Sequence, residues 1–202
     1  MRRKAVIISI SVFLMLAGAS VFAQTNISFM GVGGTLGYIS PESDIGSTIA
    51  FGARANLGTI FKPNLKLMAE GLVWSKGNEE SDLYGTVKTN WRQIYITALT
   101  KYSFGKSGEK ISPYVGGGLG MVFYRFKSEY KSSMMIKANV GSNSMGLYGG
   151  TYSSSDSDLA LHFLGGVDYI LSPQLTGFAE FRYVTDGADF WGIFAGAIYH
   201  LK

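Results

Sequence analysis

Apolar and polar residues alternate along most of the chain after residue 30, in short runs that turn-forming residues separate. A two-residue period is typical of β-strands whose two faces meet different surroundings. No long segment repeats its apolar residues at the ~3.6-residue period of a helix. The pattern predicts an all-β chain with eight strands, at residues 31–39, 48–61, 65–75, 90–104, 113–126, 159–171, 175–184 and 190–201.

The connections between these runs differ in length. Proline interrupts the pattern at residues 62–64 and 172–174, because it cannot donate a hydrogen bond within a sheet ladder. These turns and residues 105–110 are short connections, and more variable ones fall between them, at residues 40–47, 76–89, 128–158 and 184–189. Exported barrels combine an even number of strands with short turns at one end and longer loops at the other. We therefore expect both ends of the mature chain to lie on the same side.

The strands place apolar side chains on one face and polar or ionic side chains on the other. In the second strand, Phe51 and Ala55 share one face, while Arg54 and Asn56 share the opposite one. If the polar face lines a closed barrel, its charged groups must pair, because burying an unpaired charge costs stability. The predicted polar network in the lumen consists of Arg54, Glu70, Lys101, Asp168, Glu180 and Arg182.

Two closed architectures fit eight such strands. A soluble barrel would keep the apolar face inside, whereas a membrane barrel turns that face toward lipid and keeps polar groups within. Aromatic residues favour the membrane barrel, because they cluster toward both ends of the strands, as at the two interfaces of a bilayer. The predicted interface aromatics are Trp74, Trp91 and Trp191 at the outer end, and Tyr102, Tyr114, Tyr169 and Tyr199 at the periplasmic end. The sequence therefore predicts an eight-stranded antiparallel up-and-down transmembrane β-barrel.

The segment SPYVGGGLGMVFYRF, residues 112–126, combines strand character with four glycines. Gly116, Gly118 and Gly120 fall on the predicted inward face of the fifth strand. Glycine within a strand marks a close approach by another group, and eight strands enclose a space just wide enough for side chains to fill. We expect this bare stretch of backbone to make room for long charged side chains from the opposite wall.

The first 23 residues have the anatomy of a cleaved secretory signal peptide. Three basic residues precede an almost wholly apolar stretch, residues 5–18, and residues 21–23 offer a cleavage site. The apolar stretch is too short for a membrane-spanning helix, which needs ~20 residues. This leader holds three of the 18 basic residues and no acidic one, so its removal lowers the formal charge from +4 to +1. We expect a single domain over residues 24–202 and no nucleic-acid partner.

Two stretches of the sequence resemble a known group of proteins. Residues 113–120 (PYVGGGLG) and residues 165–183, which include GGVDY and LTGFAEFRY, are similar to the small outer-membrane β-barrels, the porin-like family of OmpA-, OmpX- and OmpW-type proteins. The resemblance implies a bacterial outer-membrane location, contact with outer-membrane lipid, and the outer-membrane assembly machinery as a partner. That machinery reads an aromatic residue at the end of the last strand, where this chain has Leu201. We expect the protein to be a monomer.

Few residues could support catalysis or metal binding. The chain has no cysteine and two histidines, His162 and His200, which the strand assignment places at opposite ends of the barrel. Because zinc needs several ligands close together, we expect no metal site, and we also expect no cofactor. A remote alternative is a lipid-modifying enzyme at the rim, in which His162, Asp158 and a serine from residues 153–157 act together. We assign no catalytic residue and expect no enzymatic activity.

The longest predicted loop, residues 128–158, is the favoured functional segment. Structureless loops beyond ~12–15 residues are usually functional or disordered, and this one has the serine, glycine, tyrosine and methionine content of an adaptable contact surface. It could instead extend the fifth and sixth strands as a hairpin. We expect a structural or adhesin-like barrel that meets a surface ligand or host partner through this loop. The alternative is a narrow OmpW-like channel for small hydrophobic molecules, lined by Leu72, Phe178, Phe194 and Ile198.

Overall fold

The computed structural model describes residues 27–42, 45–81, 85–105, 109–132, 150–185 and 189–201. Its strands form one closed antiparallel barrel in chain order. They are β1 (Ile27–Pro41), β2 (Thr48–Thr59), β3 (Leu65–Ser81), β4 (Gly85–Ser103), β5 (Ile111–Ser132), β6 (Thr151–Ser172), β7 (Leu175–Thr185) and β8 (Phe190–His200). No helix in these residues is long and apolar enough to cross a membrane. The predicted signal peptide, residues 1–23, lies outside the described residues.

Strands that follow one another in sequence are also neighbours in the barrel. Val32 of β1 lies opposite Ala55 of β2 on one side and opposite Tyr199 of β8 on the other, so β1 closes the ring. The connections that contain Pro63 and Pro173 are tight turns between β2 and β3 and between β6 and β7. The predicted eight-stranded antiparallel up-and-down topology is therefore confirmed.

The strands turn apolar side chains outward and many polar side chains inward, which is the reverse of a soluble protein. Along β4, the odd-numbered residues from Gln93 to Lys101 are buried inside the barrel, while Ile94, Ile96 and Ala98 point outward and are exposed. The outer surface carries many large apolar side chains, with Ile96 at 63% exposure. Water disfavours an apolar surface of this extent, whereas an apolar band is what a lipid-facing barrel presents.

Four strands are longer than the alternation predicts. β3 runs to Ser81, β4 begins at Gly85, and β5 and β6 each span 22 residues. The prediction of a loop is therefore wrong for most of residues 76–89 and for both ends of residues 128–158, where the hairpin alternative fits; residues 133–149 lie outside the described part. Alternation fails here because the strands extend beyond the buried interior, so that side chains on both faces are exposed, as at residues 151–156 of β6. We call this extension, residues 75–81, 85–92, 125–132 and 151–159, the outer sheet.

The barrel interior is filled by two apolar clusters with ionic groups between them. The upper cluster includes Leu72, Tyr95 and Phe194, and the lower cluster includes Met68 and Phe178. Along β3 the charged residue Glu70 lies between a member of each cluster. Two packed clusters in series leave an interior that is filled with side chains, as a barrel of eight strands requires.

The inward glycines of β5 lie close to the β4 backbone and to apolar side chains, and not to long charged side chains as predicted. A Cβ atom at Gly118 would lie 2.4 Å from the carbonyl oxygen of Ala98 and 2.5 Å from a methyl carbon of Leu99. At Gly116 it would lie 2.2 Å from the Thr100 carbonyl oxygen. The neighbouring strand β4 and apolar side chains, rather than charged side chains from the opposite wall, therefore occupy this space.

Candidate functional site

Four ionic side chains from three strands meet in the middle of the barrel. Arg54 of β2, Glu70 of β3, and Glu180 and Arg182 of β7 are each 3% exposed or less. Arg54 and Glu70 lie opposite each other in the β2–β3 ladder. Glu180 and Arg182 are two residues apart, so the strand period directs both to the same face. Alternate residues of β2, β3 and β7 point into the barrel, and those at this level bring together two guanidinium and two carboxylate groups.

These four residues form a ring of ion pairs, which we call the lumen quartet. Arg54 Nη2 lies 2.6 Å from Glu70 Oε2 and 3.2 Å from Glu180 Oε1. Arg182 Nη2 lies 2.6 Å from Glu180 Oε1, and Arg182 Nη1 donates to Glu70 Oε1. Each carboxylate accepts hydrogen bonds from both arginines, so the formal charges cancel. Buried charges are tolerated when they are paired and hydrogen-bonded in this way.

Aromatic rings cover the lumen quartet from both apolar clusters. The guanidinium carbon of Arg54 lies 4.3 Å from the ring centre of Phe178, and that of Arg182 lies 4.6 Å from the ring centre of Phe194. Both distances are within the range of a cation–π contact. Tyr114 Oη also donates to Glu180 Oε2 at 2.9 Å. The quartet is therefore held inside a packed interior and not in a water-filled passage.

The other two predicted network residues form a separate pair nearer the periplasmic end. Lys101 Nζ lies 2.6 Å from Asp168 Oδ1, and both residues are buried. The same Lys101 nitrogen lies 3.8 Å from the ring centre of Tyr114. The six predicted residues thus fall into a quartet and a pair, with Tyr114 touching both groups.

Two of the predicted interface aromatics lie inside the barrel. Trp74 and Tyr114 are each 2% exposed, so assigning them to the interface belts is wrong. The two-residue strand period gives the reason, because Trp74 shares the inward face of β3 with Glu70, and Tyr114 shares that of β5 with Gly116. Trp91 also has inward parity and is half-buried against Phe126, with 4.5 Å between their ring centres. The parity of each strand was a signal that could have placed all three rings correctly.

The remaining predicted interface aromatics point outward. Trp191, Tyr102, Tyr169 and Tyr199 lie on the outer face with exposures between 38% and 47%. Trp191 stacks on Phe181, with 6.3 Å between the ring centres, near the outer end of β7 and β8. These positions suit residues of the two interface belts.

His162 is enclosed by the barrel wall and does not reach the rim. Its side chain is 1% exposed, its Nε2 lies 3.2 Å from Thr97 Oγ1, and its ring meets Tyr95 edge-on. Asp158 is exposed, and its Oδ1 accepts the backbone N–H of Leu159. The structure therefore does not bring His162 and Asp158 together in the arrangement that a rim enzyme needs.

The described residues also lack a cluster suited to a metal ion. They contain no group of three or more His, Asp or Glu side chains that could hold one. His200 lies at the opposite end of the barrel from His162, and its Nε2 is 2.9 Å from Thr176 Oγ1. The two histidines thus serve separate hydrogen bonds with threonine hydroxyls.

An outward apolar band around a closed barrel whose buried interior holds paired charges is typical of an integral membrane β-barrel. Residues 9–196 match the family model of the outer membrane protein beta-barrel domain, and the chain belongs to this family. The protein is accordingly a small barrel of the bacterial outer membrane, surrounded by outer-membrane lipid. Comparison with curated protein sequences gave no match.

Solved structures with the same fold support this assignment. Neisserial surface protein A is 17% identical with a TM-score of 0.57, over 88% of this chain and 100% of that chain. Ail, the attachment invasion locus protein of Yersinia pestis, solved with the heparin analogue sucrose octasulfate, is 18% identical with a TM-score of 0.52, over 86% and 97%. The N-terminal barrel of Pseudomonas aeruginosa OprF is 12% identical with a TM-score of 0.50, over 86% and 98%. At these identities the likeness shows the fold alone.

Proposed function

We propose that the protein is a sealed, non-catalytic barrel that binds a ligand or partner at the cell surface through the part of the outer sheet formed by β5 and β6. The observation that carries this proposal is the length of β5 and β6, which continue well beyond the buried interior. By the orientation rule for such barrels, short turns face the periplasm, so this end faces the outside. Residues 151–156 of β6 lie beyond the row of Phe123 and are exposed on both faces.

The composition of the outer sheet suits contact with other molecules. Its β6 segment, residues 151–158, carries tyrosine, serine and aspartate side chains that can make hydrogen bonds without burying large apolar surface. Ail, which has the same fold, was solved with a heparin analogue, and a polar surface ligand is the class we propose here. The segment predicted to make contacts, residues 128–158, includes the outer ends of both strands of this hairpin.

A binding assay with a shortened hairpin tests the proposal. Residues 128–152 are replaced by Asn-Gly, a two-residue turn that favours hairpins, so that Lys127 and Ser153 remain paired. The matched control shortens the neighbouring hairpin by replacing residues 80–87 in the same way. We expect bacteria that produce the first variant to lose adhesion to immobilised host-cell glycans and matrix proteins, while the control retains it. Equal adhesion of the wild type and the first variant contradicts the proposal.

The alternative, a narrow hydrophobic channel, would require an open path through the interior of the barrel. Leu72, Phe178, Phe194 and Ile198 are each 5% exposed or less, packed in the two clusters on either side of the lumen quartet. Side chains that fill the lumen in this way favour a closed barrel. We expect no steady ion conductance in planar bilayers and no uptake of a hydrophobic dye into proteoliposomes. Uptake above that of empty liposomes would favour the channel instead.

A further inference from the structure

The outward face of β4 and β5 changes from apolar to basic within two residues. On β4 the outward residue Ile94 is followed, away from the barrel, by Arg92, and on β5 Phe123 is followed by Arg125. Arg92 and Arg125 lie directly opposite each other in the β4–β5 ladder, and both are exposed. Two guanidinium groups therefore lie side by side at the outer edge of the lipid-facing band.

This arrangement is unfavourable without an anion. Like charges directly opposite each other across two strands destabilise a sheet. Among the ion pairs of the described residues, none gives Arg92 or Arg125 a carboxylate partner. The two arginines contrast with those of the lumen quartet, each of which contacts both carboxylates.

On the outward faces of β3 and β5, Glu79 and Glu129 lie farther from the membrane than the arginines and pair with lysines, whereas Asp156 and Asp158 of β6 fall on the opposite face of their strand. Lys88 Nζ is 2.9 Å from Glu79 Oε2, two rows beyond the arginines. Lys127 Nζ donates to Glu129, and this hydrogen bond holds the pKa of the Glu129 carboxyl below its ordinary value. Among the ion pairs of the described residues, these two lysines thus have carboxylate partners, whereas Arg92 and Arg125 in the row nearest the lipid do not.

Neighbouring groups complete a site for an anion. The ladder places Ser75 of β3 beside Arg92, and Ser155 of β6 beside Arg125, so that hydroxyl donors flank the two arginines. Both arginines and Asn90 line an open groove of about 510 Å³ on this face, and the Lys88–Glu79 and Lys127–Glu129 pairs line the rest of it. Guanidinium groups bind phosphate through paired hydrogen bonds, and hydroxyl and amide groups can donate further ones.

We propose that Arg92 and Arg125 bind the phosphate groups of a glycolipid headgroup in the outer leaflet. The position decides between a lipid and a soluble anion, because the arginines face outward directly above the apolar side chains that contact lipid. A phosphate at this depth is offered by a lipid whose chains lie against Ile94 and Phe123. Headgroup binding here would anchor the outer sheet at a fixed height over the membrane.

The test measures lipid binding by mass spectrometry of the folded protein released from non-ionic maltoside micelles. The probes are diphosphoryl lipid A, the same lipid after enzymatic removal of both phosphates, and inorganic pyrophosphate. We expect wild-type protein to bind the phosphorylated lipid at least about tenfold more tightly than the other two probes, which is worth about 1.4 kcal/mol. Added sodium chloride should weaken this binding, because exposed charges are screened by salt.

The decisive variant is R92Q/R125Q, and K62Q/K110Q removes two exposed lysines from the periplasmic turns as its matched control. We expect the first to lose the preference for the phosphorylated lipid and the second to keep it. Heat-modifiable migration on gels confirms that each variant is folded, and R92K/R125K provides a second variant that retains charge but not the paired hydrogen bonds. Equal binding of the two lipids to the wild type, or an unchanged preference in R92Q/R125Q, overturns the proposal. Equally tight binding of pyrophosphate would identify a site for free anions instead.

Discussion

Arg182 is fully buried and contacts both carboxylates of the lumen quartet. Replacing it by methionine keeps an apolar side chain of similar length but leaves Glu70 and Glu180 with Arg54 as their sole guanidinium partner within the quartet. Breaking one partner out of a buried ion-pair group typically costs about 3–5 kcal/mol. We expect Arg182→Met to lower the free energy of unfolding by an amount in this range, measured by urea titration in phospholipid vesicles.

The matched control for this prediction is Lys62→Met, in the exposed turn between β2 and β3. It removes the same formal charge from a site where water already solvates the group, so we expect a change of less than about 0.5 kcal/mol. An unfolding curve of Arg182→Met that coincides with that of the wild type would show that the quartet does not stabilise the barrel.

Gly33 and Gly34 provide a second contrast at the scale of single residues. A Cβ at Gly33 would lie 2.0 Å from the Ala197 carbonyl oxygen and 2.8 Å from the Ile198 Cα, both backbone atoms, whereas a Cβ at Gly34 meets no atom within 4 Å. Moving the backbone of β8 would break the ladder that closes the barrel. We expect Gly33→Ala to slow folding and lower the heat-modification midpoint on gels, and Gly34→Ala to match the wild type. Equal midpoints for both variants would contradict this account.

The identity of the buried charges could be predicted from strand parity, but their grouping could not. Parity directed six charged residues inward, yet it carries no information about which of them share a level of the barrel. That level depends on the register between strands, such as the pairing of Arg54 with Glu70. Trp74 and Tyr114 lie near the ends of the predicted strands, where aromatic belts are expected, but the alternation of each strand directs their side chains inward.

At the scale of whole strands, the alternation predicts only the part of a strand whose two faces differ in their surroundings. It therefore predicts the middle of all eight strands but not the outer ends of β3, β4, β5 and β6. There, continued pairing with a neighbour holds the strand, as between Glu79 and Lys88 or between Arg125 and Ser155. Backbone hydrogen bonds do not depend on which side chains are apolar, so strand ends that they hold show no hydrophobic periodicity in the sequence.

This difference predicts that the outer hairpin contributes little to the stability of the barrel. Residues 151–159 bury no side chain, so replacing residues 128–152 by Asn-Gly removes no part of either apolar cluster. A shorter connection also costs slightly less entropy to close. We expect the free energy of unfolding in vesicles to stay within about 1 kcal/mol of the wild-type value. A loss as large as that expected for Arg182→Met would mean that the hairpin takes part in folding the barrel.

At the scale of the whole molecule, the outward position of the apolar faces indicates that lipid, and not water, surrounds the barrel. Ala98 lies on the outward face of β4, midway between Ile94 and the interface residue Tyr102, and its side chain is exposed. In a bilayer this position lies near the middle of the apolar band, where an arginine on a barrel surface costs about 2–4 kcal/mol. In water the same substitution on an exposed strand position would be nearly neutral.

We therefore expect Ala98→Arg to destabilise the barrel by about 2–4 kcal/mol in phospholipid vesicles. The matched variant Thr151→Arg places the same group on the outward face of β6, beyond the row of Arg125 and opposite Glu129. There the side chain can reach headgroups and water, so its cost should be within about 1 kcal/mol. Urea titration of both variants in the same vesicles compares the two depths directly. Equal effects at the two positions would mean that lipid does not surround β4 at Ala98, and the outward apolar face would then need another partner.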